Sequence, residues 1–391
     1  MITRLNLKNI SSFNELHIEF SPKINVIIGE NGTGKTQLLK AVYGLYAGAT
    51  VYEADADTTD KQLAEVISRK LVRLFMPLDG KLGRIRRHGV AENAALSAEF
   101  SGGQHIGVSF HTNSKTVVLH ENVNYNQQLA KAVFIPTKEV LSLVRGMTDA
   151  GHDQKTVELI FDSAYVDLAD FMLLGGHEDF DSKVSLDPRI GSIIPKLTNL
   201  IGGRYRFLNG GFNFEPGSYE EKVAPTRGRS KSALAYQDST VTEFVRSSDP
   251  VLSSGMTAEG FRKIGVLQRL LSNGTINPGV SGALIWDEPE SNLNPKLMKQ
   301  LVESLLELAR NGQQIILATH DYVMLKWFDL LMDEGKGDHV RFHALYRDKD
   351  TASVAVSSVD DYRAILPNSI SDTFTDLTKE QVSQKMGRLG K

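Results

Sequence analysis

The chain has 391 residues, of which 41% are hydrophobic and 23% charged, with a formal net charge of −3. These are globular values and exclude a disordered or collagen-like chain. The length suffices for two or three packed layers or two modest domains. The near-neutral balance gives no global attraction to nucleic acid or an anionic membrane, so DNA contacts need a local patch. Cysteine is absent, which excludes disulfides and thiolate metal sites and suits a reducing cytosol. There is no apolar run long enough for a transmembrane helix, and the opening MITRLNLKNI lacks the apolar core of a signal peptide. The expectation is a soluble, cytoplasmic protein with no membrane partner.

Residues 2–9 and 14–20 read as paired strands, with Leu5 and Leu7, then Leu16, Ile18 and Phe20, at period two. Residues 23–28, KINVII, form a β-branched run expected to be a buried strand. Directly after it stands GENGTGKT, residues 29–36. This fits the phosphate-binding loop pattern at every fixed position: Gly29, Gly34, Lys35 and Thr36. Glycines let the backbone curl so that successive N–H groups face phosphate oxygens. Lys35 would bring a point charge to the β- and γ-phosphates, and the Thr36 hydroxyl would ligate Mg²⁺. Behind the loop, Leu38, Leu39, Val42, Leu45 and Tyr46 lie at helical spacing. Strand, glycine loop and helix is the required order, and the helix N-terminus adds partial positive charge. The candidate nucleotide-binding set is therefore Asn31, Gly32, Thr33, Gly34, Lys35, Thr36 and Gln37.

Residues 50–60 are polar and acidic, a loop, and 61–76 predict a helix. Runs at 95–100, 105–111 and 115–120, split by Gly102–Gly103 and by 112–114, predict an antiparallel meander. KAVFIP, 131–136, is another buried-type strand. Residues 154–174 and 188–200 read as helices. An Asn-Gly-Gly turn inside 203–214 predicts a hairpin, and 217–240 reads as a mobile polar loop. Helices follow at 258–272, 295–311 and 321–332, with strands at 282–286 and 313–318 between them. A hairpin at 339–347 and 352–357 and a mostly helical stretch at 359–387 close the chain. No internal repeat or long heptad tract is present.

Two later strands carry chemistry. ALIWDE, 283–288, presents Asp287 and Glu288 at the end of an apolar run, where open α/β sheets place their ligand crevice. Asp287 would hold the Mg²⁺ shell and Glu288 would polarise the attacking water. QIILATHD, 314–321, ends in His320, able to contact a γ-phosphate or orient water. Before the helix at 258, VLSSGMTAEG supplies Ser and Gly suited to anion binding, or simply an N-cap through Thr257.

These motifs, in this order, resemble the ABC-type ATPases. The variant looks like the soluble branch of the structural-maintenance-of-chromosomes (SMC) and OLD proteins. LKNISSFNELHIEFSPKINVIIGENGTGKT at 7–36, WDEPESNLNP at 286–295 and ATHD at 318–321 carry the resemblance. It implies an α/β ABC-ATPase fold: a mixed or parallel phosphate-loop sheet flanked by helices, with an antiparallel β subdomain and a helical insertion. The implied division is an N-terminal ATPase lobe at 1–150, a helical and hairpin insertion at 151–245 and a C-terminal lobe at 246–391.

The resemblance also assigns roles. Lys35 and Thr36 match the Walker A lysine and metal ligand, Asp287 and Glu288 the Walker B acid and catalytic base, and His320 the switch histidine. Ser253 and Gly255 match the signature motif, which in the family meets nucleotide bound by a second copy. A head-to-tail homodimer or higher oligomer with ATP and Mg²⁺ is implied, and 291–294 would be the loop crossing between copies. Met256 stands where the signature has Gln or Glu. The Q-loop glutamine has no match after 131–136, where Lys138 or Glu139 are the substitutes.

The residues between Thr36 and Asp287 lack the heptads of SMC arms, and the stretch after Asp321 is short for an OLD nuclease. The expected function is an ATP-hydrolysing, dimerising sensor or switch. It would control a separate effector, a nuclease or toxin, in an anti-phage or toxin–antitoxin system. The alternative is a DNA-binding repair or recombination ATPase of the SMC/RecF-like type. It draws on the basic stretch Arg69, Lys70, Arg73, Lys81, Arg84, Arg86 and Arg87.

Overall fold

The computed structural model describes residues 1–50, 60–120, 130–144, 147, 154–175, 187–223, 240–348 and 353–389. The chain opens with β1 (Ile2–Ile10), β2 (Phe13–Glu19) and β3 (Ile24–Gly29). Helices α1 (Lys35–Thr50) and α2 (Asp60–Phe75) lead to β4 (Ala94–Phe100), β5 (His105–Phe110), β6 (Val118–Leu119) and β7 (Val133–Ile135). Then come α3 (Gln154–Ile160), α4 (Ser163–Leu173), α5 (Pro188–Gly191) and α6 (Ile193–Ile201). Strands β8 (Gly203–Leu208), β9 (Gly211–Val223), β10 (Thr240–Arg246) and β11 (Leu252–Ser253) precede α7 (Glu259–Ser272). The last part holds β12 (Leu284–Asp287), α8 (Pro295–Arg310), β13 (Ile315–Ala318) and α9 (Tyr322–Leu331). It ends with β14 (Val340–Arg347), β15 (Val354–Val359) and α10 (Ser369–Leu389).

A six-stranded sheet, ordered β15-β14-β3-β13-β12-β7, is the centre of the fold. Its pairs from β14 through β7 are all parallel, and only β15 runs antiparallel at the edge. Parallel strands are covered on both faces, which explains the near-continuous apolar runs INVIIG, LIWD and IILA. Alternation then divides the apolar side chains between two cores. Ile24, Val26, Ile28, Leu284, Trp286, Ile315 and Leu317 join one, with α4, α6, α7 and α8. Ile27, Ile285, Ile316 and Ala318 join the other, with α1, α2 and the sheet β2-β1-β4-β5-β6. Asp287 follows Trp286 and so points to the α1 side.

The mixed sheet, the antiparallel subdomain and the flanking helices agree with the expectation. One local reading needs correction, and two stretches expected to be helical are helical but divided. The expected helix at 154–174 is two helices, because the Asp162 carboxylate accepts from Ala164 N–H and caps a new start at Ser163. The expected helix at 188–200 likewise divides at Ser192 into α5 and α6. The expected loop at 217–240 is strand at both ends, since β9 runs through Pro216 and Gly217. There β9 exchanges partners: Pro216 pairs with Gly203 of β8, and Gly217 already pairs with Arg246 of β10. A proline at such a hand-over removes no interior ladder bond. The rest of that loop and most of the acidic loop at 50–60 lie outside the described residues. Among the described residues no helix is long and apolar enough to cross a membrane.

Candidate functional site

Parallel pairing brings the carboxyl ends of four strands to one edge. Ile27 of β3 sits beside Ala318 of β13, Ala318 beside Asp287 of β12, and Trp286 beside Ile135 of β7. Whatever follows each strand therefore gathers in one crevice. After β3 comes the glycine loop, after β7 Thr137, after β12 Glu288 to Glu290, and after β13 Thr319 and His320.

The loop takes the shape its glycines permit. Gly32 and Gly34 have φ of 79° and 90°. A Cβ on Gly34 would lie 2.5 Å from Ser12 Oγ and 2.8 Å from Phe13 Cζ, so only glycine fits. The Thr33 hydroxyl donates to Glu30 O at 2.8 Å, and Arg347 donates to Gly32 O at 3.1 Å. The Gln37 side-chain oxygen accepts from Ser11 and Ser12 hydroxyls at 2.6 and 3.3 Å, tying the first helical turn to the β1–β2 turn. Lys35 is buried and its ammonium donates to Gly29 O at 2.7 Å and Glu30 O at 3.3 Å. Burial pulls that ammonium below its ordinary value, while Glu288, Asp287 and Glu290 oppose the shift.

The central contact joins the two halves of the chain. Thr36 Oγ1 donates to Asp287 Oδ2 at 2.7 Å, and Thr137 Oγ1 donates to the same oxygen at 3.0 Å. Burial raises the Asp287 carboxyl, and the two hydroxyl hydrogen bonds pull it back. Two hydroxyls and a carboxylate are hard oxygen donors of the kind Mg²⁺ takes, so the donor set fits that ion. Glu288 has φ of 50°, and its backbone N–H donates to Ala318 O at 2.9 Å. Its carboxylate lies 3.3 Å from His320 Nδ1.

A further carboxylate completes the group. Glu290 is buried, and its Oε1 accepts from Thr319 Oγ1 at 2.7 Å and His320 N–H at 3.1 Å. Burial raises its carboxyl. Sequence reasoning missed Glu290 and Thr137. Both carry the same signal, a polar residue two or three places beyond the end of a buried strand. Thr137, rather than Lys138 or Glu139, reaches the Asp287 oxygen. Glu139 points elsewhere, with its carboxylate 2.9 Å from Arg262 Nε on α7.

Ser253 and Gly255 are not part of this gathering. Ser253 is exposed at the end of β11, paired with Asn213, and a Cβ on Gly255 would meet nothing within 4 Å. Among the described residues no hydrogen bond joins them to the glycine loop, so the signature candidates stand open to solvent.

The basic stretch is largely committed to the fold. Lys70 pairs with Asp167, and Arg73 lies 3.1 Å from Glu158. Arg86 donates to Glu92 O at 2.8 Å and Arg87 to Ser12 O at 2.7 Å. Arg69, Lys81 and Arg84 are the exposed remainder.

Two family models match the chain: "AAA domain" over residues 4–132, and "AAA domain, putative AbiEii toxin, Type IV TA system" over 164–326. A crystal structure of "the SmcHead bound to the C-winged helix domain of ScpA" matches at TM-score 0.50 and 14% identity, covering 92% of this chain and 97% of that one. The fold is SMC head-like. Two DNA replication and repair RecF proteins share short segments with this chain. That of Halalkalibacterium halodurans is 50% identical over 44 residues, 11% of this chain and 12% of the relative. That of Bacillus mycoides is 50% identical over 100 residues, 26% of this chain and 22% of the relative. The match thus spans less than a quarter of these curated relatives.

Proposed function

We infer that the chain binds ATP with Mg²⁺ and hydrolyses it, and that two copies close over the nucleotide as a switch. The observation that carries this is the convergence of Thr36, Thr137 and Asp287 on one oxygen, with Glu288 and His320 3.3 Å apart beside it. In this reading the backbone of Asn31 to Gln37 cradles the phosphates and Lys35 leaves its carbonyl partners to meet them. Thr36 and Asp287, assisted by Thr137, would hold the metal, which supplies charge neutralisation on the phosphates when bound. Glu288 accepts hydrogen from the attacking water, and His320 holds that water or the terminal phosphate. The lobes 1–150 and 246–391 contribute the two sides of the site, and 151–245 is the insertion between them.

Ser253 and Gly255 would complete the site of a second copy, which accounts for their exposure. The AbiEii and type IV toxin–antitoxin description of the matching model supports a role beside a separate effector, a nuclease or toxin, in defence. Turnover of ATP by the purified protein, lost in Lys35→Ala, tests the hydrolytic reading. Light scattering of Glu288→Gln with and without ATP tests closure: a monomer in both conditions removes the two-copy switch.

The RecF likeness favours a second reading, a repair ATPase that grips DNA. Only Arg69, Lys81 and Arg84 remain exposed for phosphate contacts in the basic stretch. A salt-dependent shift on duplex DNA, reduced in Arg69→Ala/Arg84→Ala, supports it. No binding at low salt ends it.

A further inference from the structure

Lys263 takes no part in the reaction above, and the role assigned to it here rests on the hydrolytic reading. Lys263 lies one turn inside α7 and is only 1% exposed. A buried ammonium is costly unless its hydrogens are taken up. Its Nζ donates to Glu288 O at 3.0 Å and to the Ser291 hydroxyl. Burial lowers the ammonium from its ordinary value, and Glu290, Glu259, Glu288 and Asp287 act against that.

What Lys263 holds is a strained segment. Glu288 and Asn292 both have left-handed backbones, with φ of 50° and 61°. Neither is glycine, and such conformations persist only where the surroundings over-determine them. The Glu288 carbonyl is where the determination converges. It accepts from Ser291 N–H at 3.1 Å, from Ser291 Oγ at 2.9 Å and from Lys263. The first two are local to the loop. Lys263 alone of these donors comes from another element, and it fixes the loop to α7.

We propose that Lys263 is a positioning residue: it clamps the turn at Glu288 so that the carboxylate faces the crevice, and it sets Ser291 for the loop beyond. Its hydrogen bonds go to Glu288 O and the Ser291 hydroxyl, not to the glycine loop, Thr36 or Asp287. Removing it leaves the glycine loop, Thr36 and Asp287 in place, so nucleotide binding survives while the alignment of the base is lost.

The test is Lys263→Met, which keeps the stem and deletes the donor. Turnover should fall about tenfold to a hundredfold, the scale of a small misplacement of a reacting group, with KM for ATP within about twofold. Amide hydrogen exchange over 288–294 should rise while that over 29–40 stays unchanged. Wild-type kcat in a folded Lys263→Met overturns the proposal. So does unchanged exchange over 288–294, a readout that needs no turnover. If Lys263→Met does not fold, Ser291→Ala removes the second partner of the ammonium and should lower kcat at constant KM; no loss there also overturns it. Absence of Lys35-dependent turnover in the wild type would instead remove the hydrolytic reading and leave hydrogen exchange to judge the clamp.

Discussion

Thr36 and Asp287 stand 251 positions apart in the chain, yet their side chains share a 2.7 Å hydrogen bond. The contact exists because β3 and β12 flank β13 in parallel and because Asp287 falls on the α1 face of the sheet. Asp287→Asn keeps the shape, removes the negative charge and leaves one neutral acceptor oxygen. It should lower turnover by roughly a hundredfold or more, with a raised Mg²⁺ requirement. Turnover at wild-type level across a Mg²⁺ titration would refute the assignment.

Glu288→Gln tests the base. The amide accepts no proton, so ATP should bind with affinity near wild type while hydrolysis falls roughly a hundredfold. Filter binding with labelled ATP and phosphate release measure the two separately. Normal phosphate release would move the base elsewhere, Glu290 being the next carboxylate.

Thr137→Val removes one of two hydroxyls on the Asp287 oxygen without changing side-chain volume appreciably. A hydrogen bond to a charged carboxylate contributes about 1.5 kcal/mol or somewhat more, so kcat/KM should drop roughly tenfold, short of Asp287→Asn. An effect equal to that of Asp287→Asn would make Thr137 indispensable and contradict its supporting place.

The ion pair Arg262–Glu139, at 2.9 Å with Glu139 buried and Arg262 partly so, joins α7 to the segment after β7. Arg262→Leu leaves the buried Glu139 carboxylate with only its Ser142 hydrogen bonds and should cost about 1–3 kcal/mol of stability. Replacing both residues with leucine should recover part of that loss. Denaturant midpoints of the single and double variants decide, and additive losses would show that the pair is not coupled.

His343 offers a pH test. It is fully buried, with Nδ1 2.8 Å from Ser358 Oγ and Nε2 3.3 Å from Asn25 Oδ1, and burial lowers its value from 6.5 to about 3. Below pH 6.5 the unfolded chain binds a proton that the folded chain refuses. Stability is therefore complete above pH 6.5 and lost as pH falls from there toward 3, at about 1.4 kcal/mol per unit. His343→Gln should show a shallower acid slope between pH 7 and 5. Equal slopes would mean that another group carries the acid sensitivity.

Much of this site was legible in the sequence because each piece abuts a strand that is apolar along its whole length. The glycine loop, Asp287, Glu288 and His320 could be placed from KINVII, ALIWD and QIILAT alone. Thr137 and Glu290 could not, since their roles depend on which strands neighbour one another. That order, β3-β13-β12-β7, has no local signature. The breaks within the two helical stretches, and the strands at the ends of the expected loop, were not legible for a related reason. Asp162 and Ser192 interrupt apolar periodicity only slightly, and Pro216–Gly217 reads as a turn unless the exchange of partners by β9 is known.

The parallel edge has a consequence for quality control of the molecule itself. A one-residue slip between β12 and β13 would send Asp287 to the opposite face and Trp286 into the α1 side. Such a molecule would keep most of its sheet hydrogen bonds, yet the Asp287 carboxylate would no longer lie beside Thr36. Register errors in this protein would therefore separate Asp287 from Thr36 without dismantling the sheet, and the fraction of a preparation with that contact formed would report how faithfully its central strands had paired.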